Sequence, residues 1–188
     1  MDKVRIGIVG VGNMGRSHSE YIFNGKIKNA EITSVCDMNS KQLEWIKNNV
    51  SDKLNFYDNY DDMISSGTID GVIITVPHYY HPPMAIKAFE KGLHVLIEKP
   101  AGVYTKQVRE MNEAAVKSGK VFGIMYNQRT NPLYQKLRDL IQSGELGEIK
   151  RTNWIFTSWY RSQSYYDSGG WRATWAGEGG GVLINQVP

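Results

Sequence analysis

The run Gly10-Val11-Gly12-Asn13-Met14-Gly15 directly follows the apolar stretch Val4-Arg5-Ile6-Gly7-Ile8-Val9, and no other feature restricts the fold as much. A chain leaving a strand here must turn sharply into a helix, and Gly10 supplies the backbone freedom that the turn needs. Gly12 lets a pyrophosphate approach the main chain, while Gly15 lets the next helix lie close on the sheet. The helix opening at Asn13 and Met14 then offers unpaired N–H groups and a partial positive charge to phosphates. Three glycines so placed arise by chance in about one chain in five at this glycine content, so the flanking residues decide. They agree with a dinucleotide seat: a second apolar strand, Ile32 to Cys36, ends in Asp37, 22 residues beyond Gly15, where the fold places the carboxylate that grips a ribose.

Six apolar runs alternate with helical patterns: Val4 to Val9, Ile32 to Cys36, Asn55 to Tyr57, Gly71 to Val76, His94 to Ile97 and Val121 to Met125. This order predicts an α/β fold, a Rossmann-type doubly wound parallel sheet. Ser40 is the expected cap of a helix containing Leu43, Ile46 and Lys47. Pro82 and Pro83 open a helix that buries Met84, Ala85, Ala88 and Phe89 and stops at Gly92. Thr105 starts another, with Val108, Met111 and Ala115 on one face and Gly119 past its end. Beyond Met125 the pattern changes. Leu133, Leu137, Leu140 and Ile141 form an amphipathic helix ending at Gly144, and Ile149 to Tyr160 reads as a long strand rich in aromatic and β-branched residues. The expected organisation is a dinucleotide-binding domain over 1–125, then the start of an incomplete α/β second domain over 126–188, cut short at Pro188. Residues 177–181 are locally rich in glycine.

At 188 residues, with 41% hydrophobic and 22% charged side chains, the chain has the composition of an ordinary soluble globular protein. Its 22 basic and 19 acidic residues are scattered, which argues against nucleic-acid or membrane partners. Cys36 is the only cysteine, so disulfides and thiolate metal sites are excluded, and a buried thiol in a cytoplasmic protein is expected. The first strand begins almost at once, so no secretory leader is expected, and no apolar run reaches membrane-spanning length. His78 and His81 share a loop without accompanying carboxylates or cysteines, so no metal is expected there. His18 and His94 read as structural. Tyr79, Tyr80, Tyr126 and Trp171 read mostly as core, with a sugar-binding wall as the alternative. Arg129 and Arg172 are either substrate ligands or partners of surface acids.

Glu98-Lys99-Pro100 ends the fifth strand, where open α/β sheets place the groups that meet a ligand. A lysine there can hold a substrate hydroxyl and stabilise the oxyanion formed during hydride transfer. The residues alone leave open a surface lysine beside a glutamate. The Asp37 carboxylate accepts both ribose hydroxyls of NAD and repels the 2′-phosphate of NADP, so NAD is the expected cofactor, with Lys41 as the nearby cation that could offset the repulsion.

Taken together, the glycine fingerprint, Asp37, Thr75-Val76-Pro77 followed by His81, Glu98-Lys99-Pro100, Asn127 with Arg129, Trp171-Arg172 and Gly179-Gly180-Gly181 resemble the Gfo/Idh/MocA family of nicotinamide-dependent sugar and cyclitol oxidoreductases. The resemblance implies a Rossmann domain followed by an α/β domain whose mostly antiparallel sheet carries substrate contacts and a homo-oligomer interface. It implies Lys99 as the catalytic residue, with Gly10, Gly12, Asn13, Met14, Gly15, Asp37, Thr75, Pro77, His81, Glu98 and Lys99 at the cofactor, His81 near its nicotinamide end. Asn127, Arg129, Trp171, Arg172 and Asn185 are the residues it implies at a sugar or polyol substrate. The family's histidine, preceded four residues earlier by an acidic residue, would fall immediately after Pro188, and Asn185 stands where the acid is often found. The 188-residue chain is therefore expected to bind cofactor but to turn over poorly, since an imidazole near neutrality suits the removal of the hydroxyl proton. Two further functions fit the same features: a glycosidase of this architecture that uses NAD transiently, and a non-catalytic dinucleotide-binding regulator.

Overall fold

A computed structural model describes residues 3–155, 160–167 and 169–185. Six strands, β1 (Val4–Val9), β2 (Ala30–Cys36), β3 (Asn55–Tyr57), β4 (Gly71–Ile74), β5 (His94–Ile97) and β6 (Phe122–Ile124), form one sheet in the order β3-β2-β1-β4-β5-β6. All five pairings are parallel, with Ile8 opposite Val35 on one side and Ile73 on the other. This is the doubly wound parallel sheet expected from the sequence. The strand order reverses between β1 and β4, and the crevice at the carboxyl ends of those strands is where such sheets take ligands.

Alternate residues of each strand feed opposite faces. Ile8, Val35 and Ile73 pack with Val11, Ile22 and Ile46 beneath helices α1 (Asn13–Phe23) and α2 (Ser40–Asn49). Val9, Cys36, Val72, Ile74 and Ile97 pack on the other face with residues of α3 (Tyr60–Ser65), α4 (His81–Glu90) and α5 (Thr105–Ser118), including Met63, Ala85 and Met111. The sides of β4 to β6 next to α1 open instead into an apolar cleft of about 490 Å³ lined by Tyr21, Ile73, Leu96, Val121 and Met125. Among the described residues no helix is long and apolar enough to cross a membrane.

Two local expectations shift. Asn39, not Ser40, caps α2: its backbone is extended, and its Oδ1 accepts from the Lys41 N–H at 3.1 Å, leaving Ser40 as the first helical residue. The fourth strand stops at Ile74 because Thr75, although its N–H still bonds Val9, begins the turn that leads to Pro77. Gly92, just past the Lys91 cap of α4, and Gly119, the cap of α5, fall where expected, each with positive φ.

The last third departs further. Helix α6 (Pro132–Gln142) forms and its chain turns at Gly144, but Leu133, Leu137 and Ile141 remain exposed. The long strand expected over 149–160 is not formed in 149–155 or at 160, while 156–159 lie outside the described residues. β-Propensity describes fitness for a pleated surface, but a strand exists only when its backbone groups meet a neighbour, and the described residues of this segment join no sheet. Trp154 instead lies against Tyr134 of α6, with ring centroids 5.6 Å apart. Among the described residues three short helices follow, α7 (Gln163–Asp167), α8 (Trp175–Glu178) and α9 (Val182–Asn185).

Candidate active site

The glycine loop is shaped by three different constraints. Gly10 has φ of +85°, a left-handed conformation that side chains resist. A Cβ on Gly15 would lie 2.1 Å from the Gly10 carbonyl, so no other residue lets α1 start so close to β1. A Cβ on Gly12 would meet nothing within 4 Å, which leaves open space above the loop where a pyrophosphate would approach the backbone. Gly12 also forms the N-terminal boundary of α1 without any side-chain cap, so the first-turn N–H groups, including those of Asn13 and Met14, have no intrahelical acceptor. The loop thus fits the anionic group that the fold is built to seat.

Neighbouring strand ends hold this loop in place. Asp37 Oδ2 accepts from the Val11 N–H at 2.7 Å and Oδ1 from the Asn39 N–H at 2.8 Å, which aims the carboxylate along the rim of the seat. Thr75 Oγ1 lies 2.9 Å from the Val9 carbonyl and 2.5 Å from that of Gly10, so its hydroxyl braces the loop from below. Pro77 is half-buried at the start of a tight turn, His78–Tyr80, that leads into α4.

His81 was expected at the nicotinamide end, but its ring is fully buried, with Nδ1 2.8 Å from the Pro100 carbonyl and Nε2 2.8 Å from that of Val76. A ring so enclosed ties the loop after β4 to the loop after β5 and leaves no face for a ligand. Burial lowers its pKa, against the two carbonyls and Glu98, which favour the cation. The two histidines of this loop join no group of three or more potential metal ligands among the described residues.

Glu98 is buried and does not pair with the Lys99 ammonium. Its Oε1 lies 2.9 Å from His18 Nε2, and its Oε2 accepts from the Lys99 backbone N–H at 3.2 Å. His18, three residues after Gly15, therefore links the glycine helix to the end of β5. Lys99 is half-buried, follows β5 directly, and precedes a cis peptide bond to Pro100. Its Nζ donates to the Asn185 carbonyl at 2.6 Å and to Asn185 Oδ1 at 2.9 Å. Burial lowers the Lys99 pKa first; Arg161 and Arg172 push in the same direction, while Glu98 and Glu178 oppose them.

The expected substrate residues separate into two groups. Asn185 is buried and reaches Lys99 from α9. Trp171 stands edge-on to His78 with ring centroids 5.2 Å apart, and Arg172 lies over both Trp171 and Tyr165 while donating to the Tyr165 hydroxyl at 2.6 Å. Asn127 and Arg129 are exposed in the turn after β6, where Arg129 lies 5.8 Å from the centre of the Tyr126 ring, and among the described residues no hydrogen bond ties it to Lys99. Tyr79 donates to the Trp175 carbonyl at 2.9 Å, a tie between segments rather than part of the core. Glu178, which no spacing singled out, is buried beside this cluster and bonds Asn185 Nδ2 at 2.6 Å.

A parallel sheet with a glycine seat at its switch point and a lysine at a neighbouring strand end defines a dinucleotide-binding α/β protein. Residues 4–126 match the family described as Gfo/Idh/MocA, "Oxidoreductase family, NAD-binding Rossmann fold", and residues 134–188 match the Gfo/Idh/MocA C-terminal domain. The chain belongs to the Gfo/Idh/MocA family. It is 31% identical over 147 residues to inositol 2-dehydrogenase of Corynebacterium glutamicum, covering 78% of this chain and 43% of that protein. It is 27% identical over 186 residues to a glycosyl hydrolase family 109 protein of Shewanella baltica, covering 93% of this chain and 40% of the relative. The WlbA dehydrogenase of Bordetella pertussis, solved with NADH and UDP-GlcNAcA, superposes with a TM-score of 0.85 at 27% identity, over 98% of this chain and 56% of that one. The chain thus spans less than half the length of these two curated relatives.

Proposed function

We propose that the protein is a nicotinamide-dependent oxidoreductase that moves a hydride between the cofactor and a sugar, cyclitol or related polyol, with Lys99 as its catalytic residue. The observation that carries this reading is the Lys99 ammonium, held by Asn185 at the same sheet edge as the glycine seat, with two of its three N–H groups used on that residue. Residues 1–125 supply the cofactor domain in this reading, and 126–188 begin the domain that meets substrate.

When bound, the nicotinamide supplies the carbon that accepts the hydride. The chain's own residues do the rest. Gly10, Gly12 and Gly15 and the first turn of α1, at Asn13 and Met14, seat the pyrophosphate, and Asp37 takes the ribose hydroxyls. Thr75, Pro77, Glu98 and, from inside, His81 hold the loops around the nicotinamide end. The remaining N–H of Lys99 binds the substrate hydroxyl and stabilises the alkoxide as the carbinol hydrogen leaves as hydride. The hydroxyl proton passes to a separate base, since an ammonium that holds the alkoxide cannot accept it; an imidazole near neutrality suits that role. Trp171, Arg172 and Asn185 border the substrate, with Asn127 and Arg129 at its outer side.

Two features favour NAD over NADP. The Asp37 carboxylate is already fixed by two backbone N–H groups, and Arg16, the cation at the start of α1, is engaged by Gln42 Oε1 at 2.7 Å and by the Trp45 ring. A glycosidase that borrows NAD is the second reading, favoured by the match to the family 109 protein over 93% of this chain.

The test is an assay of the full protein against inositols, aldoses and nucleotide sugars, with NAD and NADP titrated separately. Net NADH accumulation that Lys99→Ala lowers roughly 100-fold or more supports the dehydrogenase reading. Sugar release without net NADH would move the assignment to the glycosidase. Full activity of Lys99→Ala would remove the catalytic role.

A further inference from the structure

We propose that Glu178 is a positioning residue that fixes the polarity of the Lys99 site, acting through the Asn185 carboxamide. The inference rests on the reading of Lys99 as the group that meets the substrate hydroxyl.

A carboxamide has one accepting and one donating end, and the two are nearly equal in shape. If the Asn185 amide turned over, its NH2 would face the Lys99 ammonium, donor against donor. Glu178 prevents this. An ionised carboxylate only accepts, so with Glu178 Oε1 at 2.6 Å the Asn185 nitrogen must face it, and Oδ1 must face Lys99 Nζ at 2.9 Å. The second carboxylate oxygen is taken by the Ala173 N–H at 3.0 Å, so the side chain cannot swing away without losing a further bond.

The backbone of Glu178 is pinned as firmly as its side chain. A Cβ on Gly177 would lie 2.1 Å from the Trp171 carbonyl, and one on Gly179, at φ +76°, would lie 2.3 Å from Val103 Cγ1. The two glycines let α8 wedge between Trp171 and the loop that follows Lys99 and Pro100. His78 Nδ1 adds a bond to the Glu178 carbonyl at 3.0 Å. The locally glycine-rich stretch is therefore a close-packed seat for one acid.

Glu178 is 6% exposed, and a buried carboxylate without compensation is costly. Its compensation comes through the amide from Lys99. The charged groups acting on Lys99 are Glu98 and Glu178, which favour the ammonium, and Arg161 and Arg172, which oppose it. Glu98 acts on the amine more strongly than Glu178 does, but its carboxylate bonds His18 and the Lys99 N–H, whereas Glu178 is the acid coupled to the amine through the Asn185 amide. Removing its charge should turn the amide free and make the amine a weaker base.

The test uses the full protein with NADH and the best substrate from the panel above. Glu178→Gln keeps the volume and removes the charge. The expected result is a cofactor Kd within twofold of wild type, a kcat lower by roughly 10- to 100-fold, the factor that a lost charge-assisted hydrogen bond carries, and a downward move of the Lys99 pKa, read by NMR of 13C-labelled lysine. Asn185→Asp alone places two carboxylates at hydrogen-bonding distance and is expected to lose activity at neutral pH. The double variant E178Q/N185D puts a single carboxylate directly beside Lys99 and is expected to recover at least tenfold over E178Q. An E178Q protein with unchanged kcat and unchanged Lys99 pKa overturns the proposal, as does a double variant no better than the worse single one. If Lys99→Ala keeps activity, the reading of the site fails instead, and the NMR shift in E178Q still decides whether Glu178 governs the amine.

Discussion

Replacing Gly12 by alanine separates the seat from the fold more cleanly than any other change in the loop. Gly12 has φ of −75° and ψ of −161°, an extended conformation that alanine adopts without strain, and the new Cβ meets no protein atom within 4 Å. The folded chain therefore loses nothing, while the unfolded chain loses freedom, so Gly12→Ala should leave stability unchanged or raise it by about 0.4–1 kcal/mol. The methyl group points into the space that a pyrophosphate must enter. Backing the phosphates off by the radius of a methyl group breaks the short bonds to the first-turn N–H groups, and losing one or two such bonds to a charged group costs about 1.5–3 kcal/mol each, or roughly 10- to 100-fold in Kd per bond. Gly15→Ala is the contrasting control. Its Cβ would sit 2.1 Å from the Gly10 carbonyl and 2.9 Å from Thr75 Oγ1, so α1 must move, at a cost of about 1–3 kcal/mol in stability as well as binding. Urea denaturation and NADH fluorescence titration on the same samples read both quantities. A Gly12→Ala protein that binds NADH as tightly as wild type would refute the placement of the pyrophosphate above this loop.

The remaining predictions concern groups whose ionisation the fold perturbs. Burial lowers the pKa of both His78 and His81 below the ordinary 6.5, so between the folded value and 6.5 the unfolded chain binds more protons than the folded one. Their contribution is complete above about pH 6.5 and is lost as the pH falls through the folded pKa; denaturation midpoints should drop from pH 7 to pH 5, and the drop should shrink in His81→Gln. Burial pushes the Cys36 thiol up to about 12 from 9.0, so the native protein should resist thiol reagents at pH 8 and react only after denaturation. Because that thiol ionises earlier in the unfolded chain, stability should fall as pH rises above about 9, and Cys36→Ser or Cys36→Ala should flatten this alkaline limb.

The sheet was legible because its signals are local and mutually consistent. Ile8, Val35, Ile73 and Val95 belong to short apolar runs, and Gly92 and Gly119 mark helix ends that need positive φ. Asp37 could be placed from spacing because a single βαβ unit fixes its distance from the glycines. The described part of 149–160 departs from the expected strand because richness in aromatic and β-branched residues describes fitness for a pleated surface and says nothing of hydrogen-bonding neighbours. The resemblance placed Thr75 and His81 at the cofactor, and what no sequence pattern displayed is that their hydroxyl and ring bond carbonyls of the surrounding loops. Glu178 was invisible for a related reason: its partner Asn185 is near in sequence, but the Lys99 that gives the pair meaning comes from a distant strand. The signal that could have found it is an acid between two glycines, Gly177 and Gly179, since closely packed backbone around a carboxylate marks a buried charge.

The two ends of the proposed site rest on different supports. Around the glycine seat, Thr75 binds the Val9 and Gly10 carbonyls, His81 joins Val76 to Pro100, and Glu98 reaches His18 on α1. These ties connect the ends of β1, β4 and β5 through the buried core, so the backbone of Lys99 is located relative to the seat by the Rossmann sheet itself. The Lys99 ammonium is located differently. Its acceptors come from Asn185, whose amide is set by Glu178, and both belong to short helices outside the two main hydrophobic clusters. Among the described residues the Glu178 side chain bonds Asn185 and Ala173 and no residue of the glycine loop, so changes at Gly12 and at Glu178 break different bonds. A change at Gly12 therefore acts on cofactor affinity while the Lys99 environment stays intact, and a change at Glu178 acts on the amine while the seat still binds. That division matches a hydride-transfer site in which the sheet holds the cofactor and the following segment sets the charge at the reacting hydroxyl.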